Sequence, residues 1–223
     1  MKLSNDTLTI LKNFASINSG IEFKAGNELT TISSGKTVLA KATLKDSFPE
    51  DFCVYDLPQF LSVYSLTKDA EIDFDDTNII IKGQRSKTRY RKTAKEMIIT
   101  PPDKTLSLNS VDVSFKLSEE NFLSIMKSAS VLQSPHIAVE SSGDKINVTC
   151  FNAKDDAAHT FSVEVADGNG SNFSVVFLTE NWKMIPGSYD VEISYRGIAS
   201  FKNTIQEVDY WIAIEAKESK FGV

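Results

Sequence analysis

Lys2-Leu3-Ser4 returns as Lys116-Leu117-Ser118, an offset of 114 residues in a chain of 223, and the apolar positions that follow repeat with it. Asp6 aligns with Glu120, Leu8 with Phe122, Leu11 with Ile125 and Ala15 with Ala129. A chain that repeats at half its length is confined to two domains built on one plan, since each copy must bury a similar apolar face. In both copies the serine suits a helix N-cap. Its hydroxyl accepts from an orphan amide two or three residues on, and the acids that follow suit the positive end of the helix dipole. A short strand-like stretch precedes each serine.

Between the repeated helices the pattern alternates as strands do. IEFK, LTTIS and KTVLAKATL follow the first helix, with Gly26-Asn27 and Ser33-Ser34-Gly35 as turns. HIAVESS, KINVTCF, HTFSVEVA and NFSVVFLT follow the second, with turns at Gly143-Asp144 and over residues 167–170. A second helix is expected in each half, over residues 57–66 and roughly 179–184. More strands come after each: AEIDF, NIIIKG, SKTRYR and MIIT in the first half, YDVEISY, ASFKN and VDYWIAIEA in the second. Each half therefore reads as an α+β domain of two helices against antiparallel sheet. Residues 100–110, with Pro101-Pro102, read as a linker between domains at 1–99 and 111–223.

The 41% hydrophobic content suffices for a core in each half, and the apolar runs are too short and interrupted to span a membrane. The start MKLSNDTL lacks the apolar stretch of a signal peptide, so the cytoplasm is expected. Cys53 and Cys150 lie in strand-like stretches of different halves, which fits buried reduced thiols.

A formal charge of -6 argues against a protein that coats nucleic acid over its whole surface. The expected helices depart from that average. With 30 acids in 223 residues, the bodies 7–17, 57–66, 121–133 and 181–186 should hold about five by chance; they hold none. Lys12, Lys127 and Lys183 are their only ionisable groups apart from Tyr64. At roughly 100° per residue, Lys127 points away from Ile125 and Ala129, Asn13 takes the matching place in the first helix, and Lys12 sits on the flank. Such helices suit loose, sequence-independent contact with phosphates. A second basic region gathers Lys82, Arg85, Lys87, Arg89, Arg91, Lys92 and Lys95 around Tyr90. Three readings stand open for it: further DNA contact, an acidic partner surface, or a solvated edge strand kept from aggregating by charge.

Catalysis finds little support. His136 and His159 start strands without Cys, Asp or Glu at metal spacing, no glycine loop precedes a helix to cradle phosphate, and Asp73, Asp75 and Asp76 read as a hairpin turn. No cofactor or metal is expected.

Residues 11–21 (LKNFASINSGI), Tyr55-Asp56-Leu57 with Phe60-Leu61, Met184 with Pro186-Gly187 and Tyr189, and the closing Ala213-Ile214-Glu215-Ala216 resemble the sliding clamps of replicative DNA polymerases, most closely those of T-even-type bacteriophages within the PCNA-like clamp family. The resemblance runs the full length. It implies the DNA clamp fold and a homotrimeric ring, with helices lining a hole for duplex DNA and Lys12, Asn13, Lys127 and Lys183 facing it. The implied partners are the replicative polymerase, an ATP-dependent clamp loader, and a late-transcription sigma factor and co-activator, in the cytoplasm of an infected bacterial host. Matching positions for a pocket that takes partner peptides are Leu44, Phe48, Leu106, Leu108, Tyr210, Trp211, Ile212 and Ala213. By the same resemblance the ring closes where an edge strand at Met97, Ile98 and Ile99 meets the next subunit's strand at Phe161, Val163 and Val165. The competing reading is a non-catalytic, two-domain β-rich structural or adaptor protein of a phage, which would have no use for acid-free helices.

Overall fold

A computed structural model describes residues 1–102 and 107–222, and the chain forms two compact units, Met1–Lys104 and Thr105–Val223. Leu106 lies outside the described residues.

The first unit opens with α1 (Asn5–Ile17). Its N-cap is Ser4, whose side chain accepts from the Thr7 amide, and Asp6 occupies the first turn. Ile10, Leu11, Phe14 and Ile17 recur at helical spacing and are buried. Strands β1 (Ile21–Phe23), β2 (Gly26–Ile32), β3 (Val38–Phe48) and β4 (Phe52–Val54) lie in the order β4-β1-β2-β3. Helix α2 (Leu57–Leu66) is capped by Asp56, which accepts from the Gln59 amide, and buries Leu57, Phe60, Leu61 and Tyr64. Strands β5 (Glu71–Phe74), β6 (Asn78–Lys82) and β7 (Lys87–Arg91) form a three-stranded antiparallel sheet in that order. The expected hairpin between β5 and β6 closes on Asp75, whose Oδ1 accepts from the amides of Thr77 and Asn78. The strand-like stretch before Ser4 is reduced to one residue of pairing: the Met1 amino group donates to the Ile72 carbonyl and the Ile72 amide to the Met1 carbonyl.

The second unit repeats the opening. Strand β8 (Val113–Leu117) leads into α3 (Glu119–Val131), capped by Ser118, which accepts from the Asn121 amide. Glu119 and Glu120 fill the first turn, and Phe122, Ile125 and Ala129 are buried. Strands β9 (His136–Ser142), β10 (Lys145–Phe151), β11 (Phe161–Asp167), β12 (Asn172–Leu178) and β16 (Lys220–Phe221) lie in the order β11-β10-β9-β12-β16. Strands β13 (Tyr189–Ser194), β14 (Ile198–Asn203) and β15 (Val208–Ala213) join β8 in the order β15-β14-β13-β8. Both thiols are buried, and burial pushes that of Cys150 up to about 11.

Two expected elements take another form. The second helix of the second half is only a single 3-10 turn, Thr179–Asn181. Residues 181, 182, 184 and 185 are all buried and Lys183 is exposed, a spacing that one helical face would also satisfy, so the pattern alone does not decide the backbone. Trp182 wedges against Phe177 and Phe201 at 5.9 and 5.4 Å between ring centres. Pro186 disfavours helical backbone at Ile185, whose amide donates to the Tyr210 hydroxyl and whose carbonyl accepts from the Tyr189 hydroxyl. The expected edge strand at Met97, Ile98 and Ile99 is likewise absent. A 3-10 turn spans Lys95–Met97, and the residues after it run as irregular backbone against the end of α1. The Asn18 side-chain amide donates to the Ile99 carbonyl, and Ile98 lies so close to Gly20 that a β-carbon there would meet its Cγ2 at 2.7 Å. Within the one chain the segment pairs with no strand, while Ile98 keeps extended backbone and Met97 and Ile99 stay exposed.

Candidate nucleic-acid interface

Helix α1 buries Thr7, Ile10, Leu11, Phe14 and Ile17; Asn5, Thr9, Lys12 and Ser16 form one exposed stripe, and Asp6 is exposed beside it in the first turn. Lys12 is therefore central and Asn13 half-buried, the reverse of the sequence expectation. Burial of Thr7, a polar residue that a hydropathy pattern assigns to solvent, rotates the helix and moves Asn13 towards the flank. On α3, Lys127 is exposed as expected, beside Leu123 and Val131, both also exposed. Lys12 and Lys127 make no ion pair among the described residues. Lys183 is exposed too, but on the loop after the 3-10 turn rather than on a helix.

Acids do occur on the helices, at the first turns alone. Asp6 is neutralised by an ion pair with Lys45; Glu119 and Glu120 flank the N-terminus of α3. Beyond those turns α1 and α3 carry cations and neutral polar groups, and α2 presents Pro58, Gln59, Ser62, Ser65 and Leu66 without any charge. A phosphate backbone meets local attraction and no repulsion along such faces, although the chain as a whole is acidic.

The basic region divides on inspection. Lys82 pairs with Asp73 at 2.6 Å, Lys92 with Glu50 at 2.5 Å and Lys95 with Glu22 at 2.8 Å. Arg85, Lys87, Arg89 and Arg91 are exposed and make no ion pair among the described residues. The last three alternate along β7, while Tyr90 between them turns inward against Phe60 and donates its hydroxyl proton to the Asp56 carbonyl at 2.9 Å.

The expected pocket residues separate in the same way. Leu44 and Phe48 are buried in the first unit, and Tyr210 and Ile212 are wholly buried in the second, so these four are core and offer a ligand no surface. Trp211, Ala213 and Leu108 are half-exposed. Strand alternation explains the division along β15, where Tyr210 and Ile212 face inward and Asp209, Trp211 and Ala213 outward. A cavity of about 190 Å³ in the second unit lies elsewhere, with Asp112, Asp167, Asn169 and Phe173 in its wall. Met97 and Ile99 are exposed apolar side chains, whereas Phe161, Val163 and Val165 are half-buried along β11. His136 is buried, its Nδ1 accepting from the Ala153 amide at 3.2 Å.

Residues 4–100 match the family model described as DNA polymerase processivity factor. The sliding clamp of Escherichia phage RB69 is 36% identical over 225 residues, covering 97% of each chain. The chain belongs to the sliding clamp family. Solved clamps share its fold at much lower identity. The PCNA of Entamoeba histolytica superposes with a TM-score of 0.66 at 15% identity over 94% of this chain and 95% of that one. The beta clamp of Helicobacter pylori bound to a DNA ligase peptide gives 0.70 at 12% over 96% of this chain and 65% of that longer one. Among the described residues of this clamp no helix is long and apolar enough to cross a membrane.

Proposed function

We propose that three copies of this clamp close head to tail into a ring around duplex DNA, with the exposed stripes of α1 and α3 turned to the phosphates, and that the ring tethers the replicative polymerase. One observation carries the DNA-facing assignment: Lys12 and Lys127 stand on matching helices of the two units, and acids are confined to the first turns. Exposed lysines among neutral polar groups give weak, sequence-independent attraction. Weak contact suffices where topology prevents escape, and it leaves the ring free to slide.

Ring closure around DNA requires opening by an ATP-driven loader, and this phage clamp also serves late transcription through the sigma factor and co-activator. Partner peptides dock by an apolar anchor on the half-exposed surface of Trp211, Ala213 and Leu108, a reading supported by the peptide held by the H. pylori clamp. The second unit contributes β11 to each closing contact, a heterologous arrangement that forms a ring when its rotation closes. The protein performs no catalysis and works in the cytoplasm of the infected host.

The test is charge reversal at Lys12, Lys127 and Lys183. Polymerase products on a primed circle should shorten by about tenfold near physiological salt, where phosphate contacts are already weakened, while helical content and oligomer mass stay unchanged. Product lengths equal to those of the unaltered clamp would remove the DNA-facing assignment.

A further inference from the structure

Alternation along β7 separates its side chains into two faces. Thr88 and Tyr90 are half-buried, with Tyr90 packed on Phe60, while Lys87, Arg89 and Arg91 are exposed on the opposite face. Arg85 stands exposed in the loop that leads into the strand. None of these four makes an ion pair among the described residues. Two residues of a strand advance about 6.5 Å, so Lys87, Arg89 and Arg91 form a row with close to the separation of successive phosphates along one nucleic-acid strand. The carboxylates nearby do not cancel it. Asp73 is held by Lys82 at 2.6 Å and Glu50 by Lys92 at 2.5 Å. Asp75 also attracts Arg89, but its Oδ1 already accepts from the amides of Thr77 and Asn78. Glu71 shares the face on β5, two strands and about 10 Å from β7, beyond the screening length of physiological salt.

We propose that this row is a track for the sugar-phosphate backbone of single-stranded DNA, a second DNA contact distinct from the exposed stripe of α1. It does not depend on ring closure, because the row is complete within one copy. A DNA polymerase processivity factor works beside such strands, since the template is single-stranded ahead of synthesis.

The chemistry of the face favours this occupant. A protein partner is held chiefly by aromatic or aliphatic anchors, and the face offers none: Ile80, which lies between Asp73 and Arg89, is buried. Nucleic acid needs no such anchor, because cations that displace its counterions supply the attraction. Three of the four cations are arginines, whose planar fork grips phosphate oxygens in pairs. A rigid duplex curves away from a flat row, whereas a flexible single strand can lie along it. Among the described residues the face carries no aromatic side chain, so contact stays on the backbone and is indifferent to base sequence.

The experiment follows the fluorescence anisotropy of a labelled single-stranded oligothymidylate across a salt series, with the unaltered clamp and with a triple variant carrying Lys87→Gln, Arg89→Gln and Arg91→Gln. Each phosphate contact on a single strand contributes about 0.7 to the slope of log affinity against log salt, so the triple variant should lose about 2 from the slope and about a hundredfold in affinity near 0.1 M salt. A variant carrying Arg89→Lys and Arg91→Lys should keep the slope, because charge is conserved. An unchanged slope in the triple variant would overturn the proposal. So would an equal loss of affinity for a duplex of the same length, which would give the row to the double helix. A fall in oligomer mass with affinity for the single strand retained would also overturn it, and would give the row to contact between copies. Product lengths on the primed circle with Lys12, Lys127 and Lys183 reversed report on the duplex-facing assignment separately, so either reading can fail without the other.

Discussion

Removing the same hydroxyl from each repeat, Ser4→Ala and Ser118→Ala, should destabilise the two copies unequally. Ser118 makes a cap bond to the Asn121 amide at 3.2 Å, and losing such a bond costs about 1 kcal/mol. Ser4 makes the equivalent bond to Thr7 at 3.2 Å and also donates its hydroxyl to Asp46 Oδ2 at 2.9 Å, across from the end of β3. A hydrogen bond to a charged group contributes about 1.5–3 kcal/mol, and the half-exposed setting of Asp46 brings that towards 1. Ser4→Ala should therefore lose about 2 kcal/mol in total, roughly twice the loss at Ser118. Urea unfolding of each variant at a fixed low protein concentration measures this as a shift of midpoint at constant slope. Equal losses, or a larger loss at Ser118, would refute the role given to Asp46 in holding the start of α1.

Asp46 also makes the stability sensitive to acid. Burial alone would raise its pKa, but the bonds from the Ser4 amide and the Ser4 and Thr7 side chains outweigh burial and hold it below the usual carboxylate value. The stabilisation is present above the unfolded pKa and is lost as pH falls through the lower folded value; Asp46→Asn should flatten that acid limb in melts between pH 7 and pH 2. Gly20→Ala should cost about 1–3 kcal/mol by forcing Ile98 away, and adding Ile98→Ala should restore part of it; additive losses in denaturant would deny that contact. Trp211→Ala should weaken binding of a polymerase-derived peptide by about tenfold or more in titration calorimetry with the fold intact, whereas Tyr210→Ala should cost about 3–5 kcal/mol of stability.

The repeat, both serine caps and most strands were legible because each has a local cause: a hydroxyl before a helix, alternation along a strand, a turn residue between two strands. Strand β16 was not, since Lys220 and Phe221 carry no alternation to read and are defined by pairing with Ser174 and Phe173. The helix expected near residue 181 failed because Trp182, Met184 and Ile185 are apolar in a spacing that also suits irregular backbone threaded through a core, and the tertiary contacts of Trp182 decide between the two. On α3, the exposure of Lys127 was legible from its own helix. The exchange of Lys12 and Asn13 turned on the burial of one threonine, and the division of the basic segment into paired and unpaired cations needed positions of Asp73, Glu50 and Glu22 that spacing does not supply.

The most direct measurement concerns topology. The clamp is loaded on nicked circular DNA with its loader and polymerase, excess free clamp is removed, and the fraction retained is measured before and after a nuclease cuts the circle. Encirclement predicts retention on the circle and rapid loss from the free ends once it is cut. Equal retention on circular and linear DNA would mean that contact rather than linkage holds the protein, and would contradict the ring.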